Sequence, residues 1–199
     1  MKSSSATAAA SFFNLYITGQ IESASFPLGP EASEIFCRYE AIAGKDWELM
    51  SGIKYGITQS ASNRKSNFNE PIAINMPIEL TYQSTNPFGW PQILISIYGT
   101  TRWGIDVSLG YSRVHVPVFG SGNCKSISQM LKAPILRPRC TNMMSDFIRW
   151  LTGRNPELKD PKILLDNMKT KGLSTESYGE VQLQLNVMSR GIARLGLEF

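Results

Sequence analysis

Acid–base catalysis at neutral pH usually needs a side chain that can trade a proton there, and this sequence of 199 residues offers one histidine, His115. It stands between Val114 and Val116 in an alternating pattern, so its side chain is expected on the face opposite the apolar one, hydrogen-bonded locally. No Gly-x-Ser-x-Gly elbow and no Gly-x-x-x-x-Gly-Lys phosphate cradle occur. A zinc site would need Cys37, Cys124 and Cys140 together with His115, without the close pairing that structural zinc sites use. The five aspartates, Asp46, Asp106, Asp146, Asp160 and Asp166, form no Asp-x-Asp pair, so calcium would require unrelated loops to converge. Trp103 beside Arg102, and Tyr111 near Arg113, are the hints of a base-stacking face, and core or rim aromatics explain them more simply. The chain reads as a non-enzyme with no cofactor, no metal and no nucleic-acid partner.

The elements that position these residues are mostly strands. Period-two alternation is cleanest in Ile72, Ile74, Met76, Ile78, Leu80 and Tyr82, where Pro77 implies an edge or a break. It recurs in Phe13, Leu15 and Ile17, in Ile35, Cys37 and Tyr39, and in Val181, Leu183, Leu185 and Val187. Ile93–Tyr98 is apolar at nearly every position and predicts a central strand covered on both faces. Turn-rich spacers at Pro27–Pro30, Asn86–Pro91 and Gly120–Asn123 separate the segments. The spacing predicts an all-β antiparallel sandwich of about eight strands. One short amphipathic helix is expected near residues 142–152, capped by Thr141 or Asn142, stopped by Gly153 and covering one end of the sandwich, with a membrane-inserting or partner-binding stripe as the alternative. Residues 154–178 read as a long basic loop. The organisation expected is a disordered tail over 1–11 and one domain over 12–199.

Three cysteines at uneven spacing form no self-contained disulfide framework, which suits a reducing, cytoplasmic compartment. No window approaches the roughly 18 apolar residues of a spanning helix. The net charge of +4 is unevenly placed: residues 124–172 carry ten basic and four acidic side chains, residues 1–100 six and eight. Arg137, Arg139, Arg149, Arg154, Lys159 and Lys162 are the candidates for a basic surface facing an anionic membrane, with an ordinary solvated face as the alternative. Any lipid affinity is expected to be electrostatic and removed by salt, because no acylation signal and no inserting hairpin is visible. A second candidate surface is the strand face of Gln182, Gln184 and Asn186, which carries no charge and suits protein contact. A third is the stiff loop containing Asn86, Phe88 and Trp90, where Gly89 sits between two aromatics flanked by Pro87 and Pro91. That loop is either a rigid connection whose Trp90 plugs the sandwich end or an aromatic anchor for a partner.

The segment Ser84-Thr85-Asn86-Pro87-Phe88-Gly89-Trp90-Pro91-Gln92, followed by an apolar strand ending at Tyr98-Gly99, resembles the signature of the B9-domain family. The likeness continues in Gly19–Ala24, Gly44–Trp47, Gly110–Tyr111 through Val114–Pro117, and Gly153–Glu157 with Asp160–Lys162, and covers about Leu15 to Leu195. The resemblance implies a C2-like β-sandwich in the Meckel syndrome complex of the ciliary transition zone, at the basal body end of the cilium. It implies a scaffold that binds sister B9-domain proteins, namely B9 domain-containing protein 2 and the Meckel syndrome type 1 protein, together with transition-zone membrane proteins. Support of ciliogenesis and of a membrane-protein diffusion barrier follows from the same resemblance. A calcium-independent, peripheral lipid-binding module acting through the basic surface is the alternative.

Overall fold

The computed structural model describes residues 12–29, 32–62, 70–118, 126–140, 143–166, 170 and 172–192. The expected tail over 1–11, the turn Gly120–Asn123, Cys124, the cap Thr141 or Asn142 and the side chain of Arg149 lie outside the described residues.

Among the described residues ten strands form one antiparallel sheet that curls into two facing layers. The first layer runs β3 (Trp47–Gly52), β6 (Ile72–Ser84), β1 (Phe13–Ser25), β10 (Thr175–Arg190) and β9 (Ser126–Pro138). The second runs β8 (Asp106–His115), β7 (Gln92–Thr100), β2 (Glu34–Ile42) and β4 (Tyr55–Ile57), with β5 (Ala61–Ser62) also paired to β2. The short β4 and β5 account for the excess over the eight expected. The alternation read from sequence is the cause of the layering. Leu15, Ile17, Ile78, Leu80, Leu183 and Leu185 from the first layer meet Ile35, Cys37, Ile93, Ile95 and Ile97 from the second in one buried cluster. Each such side chain contributes about 1.5–3 kcal/mol on leaving water.

Pro77 does not break β6. It pairs with Gln20 of β1, and β3 on the other side reaches only as far as Leu80, so no ladder bond is asked of the missing N–H. Near it, β6 bulges at Asn75, whose φ of 49° lets the strand gain one residue on β1 between Met76 and Ala73. The layers join where β9 passes to β8, a corner held by the single pair Tyr111 with Leu136. Gly110 makes that corner possible: its φ is 152°, and a Cβ there would lie 2.7 Å from Cγ2 of Ile135 and 2.9 Å from the carbonyl oxygen of Leu136.

The expected loop over 154–178 is instead a strap followed by strand. Asn155 Nδ2 donates to the Ser108 carbonyl at 2.9 Å, the Leu158 amide to Tyr111 Oη at 3.1 Å, and Arg113 Nη1 to the Leu164 carbonyl at 2.7 Å. A 3₁₀ turn, Pro161–Leu165, capped by Asp160, seats Leu164 against Leu94 and Tyr111. This strap covers the outer face of β7 and β8, which explains why Ile93–Ile97 is buried on both sides. Helix α1 (Met143–Thr152) forms as expected, but it does not cover the sandwich: its large apolar side chains are exposed along the whole length.

Candidate interaction surfaces

The loop between β6 and β7 is a rigid closure. Ser84 Oγ is buried and lies 2.9 Å from the Asp46 carbonyl and 2.7 Å from that of Asn86, while accepting the Asn86 amide at 3.1 Å. Asn86 is spent internally: Nδ2 donates to Asp46 Oδ2 and Oδ1 accepts the Phe88 amide, both at 3.1 Å. Trp90 is half-buried, donates from Nε1 to the Val116 carbonyl at 3.0 Å and stands edge-on to Trp47 at 5.3 Å between centroids. Trp47 in turn donates to the Phe88 carbonyl at 2.8 Å. Gly44 and Gly89 touch backbone to backbone, their bond running from the Gly44 amide to the Gly89 carbonyl at 2.7 Å; a Cβ on Gly89, at φ 71°, would fall 2.5 Å from the Gly44 Cα. Of the three loop candidates, Asn86 and Trp90 therefore build the closure, and Phe88, 78% exposed, is the one the loop presents.

The basic candidates do not converge. Arg137 is buried, its guanidinium 3.4 Å from the centroid of the Tyr178 ring and its Nε donating to the Leu109 carbonyl at 3.4 Å, so it fills the corner between layers. That position corrects its reading as a surface residue. Arg139 pairs with Glu176 at 3.5 Å, and Lys162 pairs with Glu40 of β2 at 2.9 Å, which raises the Lys162 pKa above its ordinary value. Both pairs are largely solvent-exposed and worth under about 1 kcal/mol. Arg154 and Lys159 are exposed, on the strap and on its approach from α1.

Gln182, Gln184 and Asn186 sit on the outer face of β10, a central strand of the first layer, as the alternation predicts. Nothing described covers that face. The cross-strand neighbours revise its charge. Gln182 Nε2 donates to Glu22 Oε2 at 2.8 Å, and Gln182 is paired with Lys132 of β9, so the Gln182 end is charged. Around Gln184 and Asn186 the neighbours are Gln20 and Thr18 of β1 and Met130 and Ser128 of β9, and the uncharged band continues through Met188 and Tyr16. Glu79 and Pro77 bound it on β6.

Groups with displaced pKa values are structural. Burial pushes the Cys37 thiol up to about 12, so the thiol is inert at neutral pH. Tyr98 is pushed up to about 12 by burial and by its 3.0 Å hydrogen bond to Glu157. His115 is exposed on β8, where partial burial and the Arg113 charge lower its pKa. Among the described residues no three His, Cys, Asp or Glu side chains are placed to hold a metal ion. No described helix is long and apolar enough to cross a membrane.

The family model "Ciliary basal body-associated, B9 protein" matches residues 15–188. The chain is similar to B9 domain-containing protein 1 of Drosophila melanogaster, with 56% identity over 191 residues that cover 96% of this chain and 79% of that protein. The Homo sapiens protein of the same name is 37% identical over 193 residues, covering 97% of this chain and 90% of that one. Homo sapiens B9 domain-containing protein 2 is 25% identical over 184 residues, covering 92% and 98%. Among solved structures, a C2 domain of plant extended synaptotagmin 1 superposes with a TM-score of 0.39 at 12% identity, covering 85% of this chain and 91% of that chain.

Proposed function

The chain belongs to the family of ciliary basal body-associated B9 proteins, and from that premise we propose that it is a non-catalytic scaffold of the transition-zone complex at the cilium base. In this reading it binds sister B9-domain proteins, B9 domain-containing protein 2 and the Meckel syndrome type 1 protein, and helps to anchor transition-zone membrane proteins. Ciliogenesis and the membrane-protein diffusion barrier depend on it through that assembly. The observation that carries the reading is the family match over nearly the whole described fold, residues 15–188. The open outer face of the first layer supports it: a flat band of Gln, Asn, Thr, Ser and Met offers hydrogen-bonding and apolar contact without a charge to desolvate.

Affinity purification of the tagged full chain from ciliated cells tests the reading. It predicts co-purification of both sister proteins in the presence of chelator. Recovery of neither, from cells that express both, contradicts it.

Calcium-independent contact with a membrane is the second reading, favoured by the exposed apolar side chains of α1.

A further inference from the structure

The end of the sandwich that carries α1 also carries two other exposed apolar tips. The backbone fixes this placement. The Arg139 amide donates to the Ser174 carbonyl before the helix, and Asn155 holds Ser108 after it, so α1 is tethered where β9 ends and β8 begins. The β7–β8 turn lies at that same end, with Trp103 at its tip, 89% exposed. So does the connection from β1 toward β2, where Leu28 is exposed and the Gly29 carbonyl accepts from Tyr178 of β10.

In α1 itself Met143, Met144, Phe147, Ile148, Trp150 and Leu151 fall within an arc of about 160° at 3.6 residues per turn. All six are exposed; Met143 reaches 90%. Leaving this much apolar surface in water is unfavourable, and no described element packs on it.

We propose that this end is a membrane-insertion surface, with α1 lying in the headgroup–acyl boundary of an anionic bilayer and Trp103 and Leu28 entering beside it. The inference deepens the second reading above and rests on it. Three features select a bilayer. The apolar side chains protrude from three separate segments, a shape that a fluid surface moulds around. Two of them are tryptophans, which prefer the boundary between headgroups and acyl chains. Arg102 next to Trp103, and Arg154 just past the end of α1, are exposed cations placed to meet lipid phosphates. This differs from attachment through a basic patch alone, because the apolar component survives salt.

The test uses the full chain and vesicles of phosphatidylcholine with about one-third phosphatidylserine, in chelator. Co-sedimentation is expected, with a substantial fraction still bound at ~0.5 M salt, where the screening length is about 4 Å. Phe147→Ser combined with Trp150→Ser and Leu151→Ser should weaken binding at least about tenfold. Because these side chains are exposed, melting temperature should not change, and capture of B9 domain-containing protein 2 should continue. Arg102→Gln with Arg154→Gln should weaken binding only to the anionic vesicles. An independent measurement on the unaltered fold is quenching by lipids brominated in the acyl chain. The quenched emission should fall away in Trp103→Phe and Trp150→Phe, since Trp47 and Trp90 stay inside. Absence of vesicle binding, complete release by salt, or equal binding by the helix variant overturns the proposal. If the helix variant instead loses the sister protein while keeping vesicle affinity, the face is a protein-docking helix.

Discussion

The two layers of this sandwich present outer faces with opposite fates. On β7 and β8 the outward residues include Leu94 and Tyr111, and the chain folds its own strap over them. On β1 and β10 the outward residues are Thr18, Gln20, Gln184 and Asn186, and nothing described covers them. The covered face is part of the core, so its side chains answer for stability. The open face lies outside the core, and in the reading proposed above it meets a partner, so its side chains should answer for association and for little else.

Leu164→Ala should do the most damage, costing about 2–3 kcal/mol, because the strap loses the buried side chain that, with the partly buried Leu158 beside it, seats it on Leu94 and Tyr111. Thermal or urea unfolding reads this directly, and an unchanged midpoint would mean that the strap is not part of the folded unit. Tyr111→Phe should be milder, about 1 kcal/mol, since it deletes the acceptor of the Leu158 amide and the hydroxyl's hydrogen bond with Ser108 but leaves the ring in place. If the two variants cost the same, the hydrogen bond rather than the packing holds the strap.

The smallest effect on the covered side concerns pH. His115 has a folded-state pKa below its ordinary value of 6.5, because burial and then Arg113 disfavour the charged ring. The unfolded chain therefore binds the proton more readily, and stability contributed by the neutral ring is lost as pH falls through 6.5. The loss should be slight, since the ring is largely exposed, and His115→Gln should remove that part of the acid sensitivity that sets in as pH falls below 6.5. A variant whose melting curve follows the wild-type pH dependence would assign the sensitivity to other groups.

The sandwich itself was legible because burial repeats along the chain: the alternation in β6 and β10 and the unbroken apolar run in β7 state which faces are covered. What was illegible involves partners distant in sequence. Gln182 reads as uncharged surroundings in its own strand, yet Glu22, 160 residues away, is its hydrogen-bond partner. Arg137 reads as surface because charge usually is, but its partners are the Leu109 carbonyl and the Tyr178 ring, 28 and 41 residues away in the chain. The pattern of α1 announces an apolar stripe without saying whether anything covers it, and here nothing described does. The loop motif was half legible: its stiffness follows from Pro87, Gly89 and Pro91, whereas the inward use of Asn86 and Trp90 depends on Asp46 and Val116.

The open face carries the central claim, and its uncharged band around Gln184 is the place to test it. Gln184→Lys with Met188→Lys puts two charges on exposed or half-exposed positions of β10 and should leave the melting midpoint within about 0.5 kcal/mol of the wild type. Titration of each purified chain with B9 domain-containing protein 2 then gives the decisive comparison. The account predicts that affinity falls by at least about tenfold for the double variant, because two desolvated charges would face the partner without counter-ions. Equal affinity for the two chains would contradict it and remove this face from the interface.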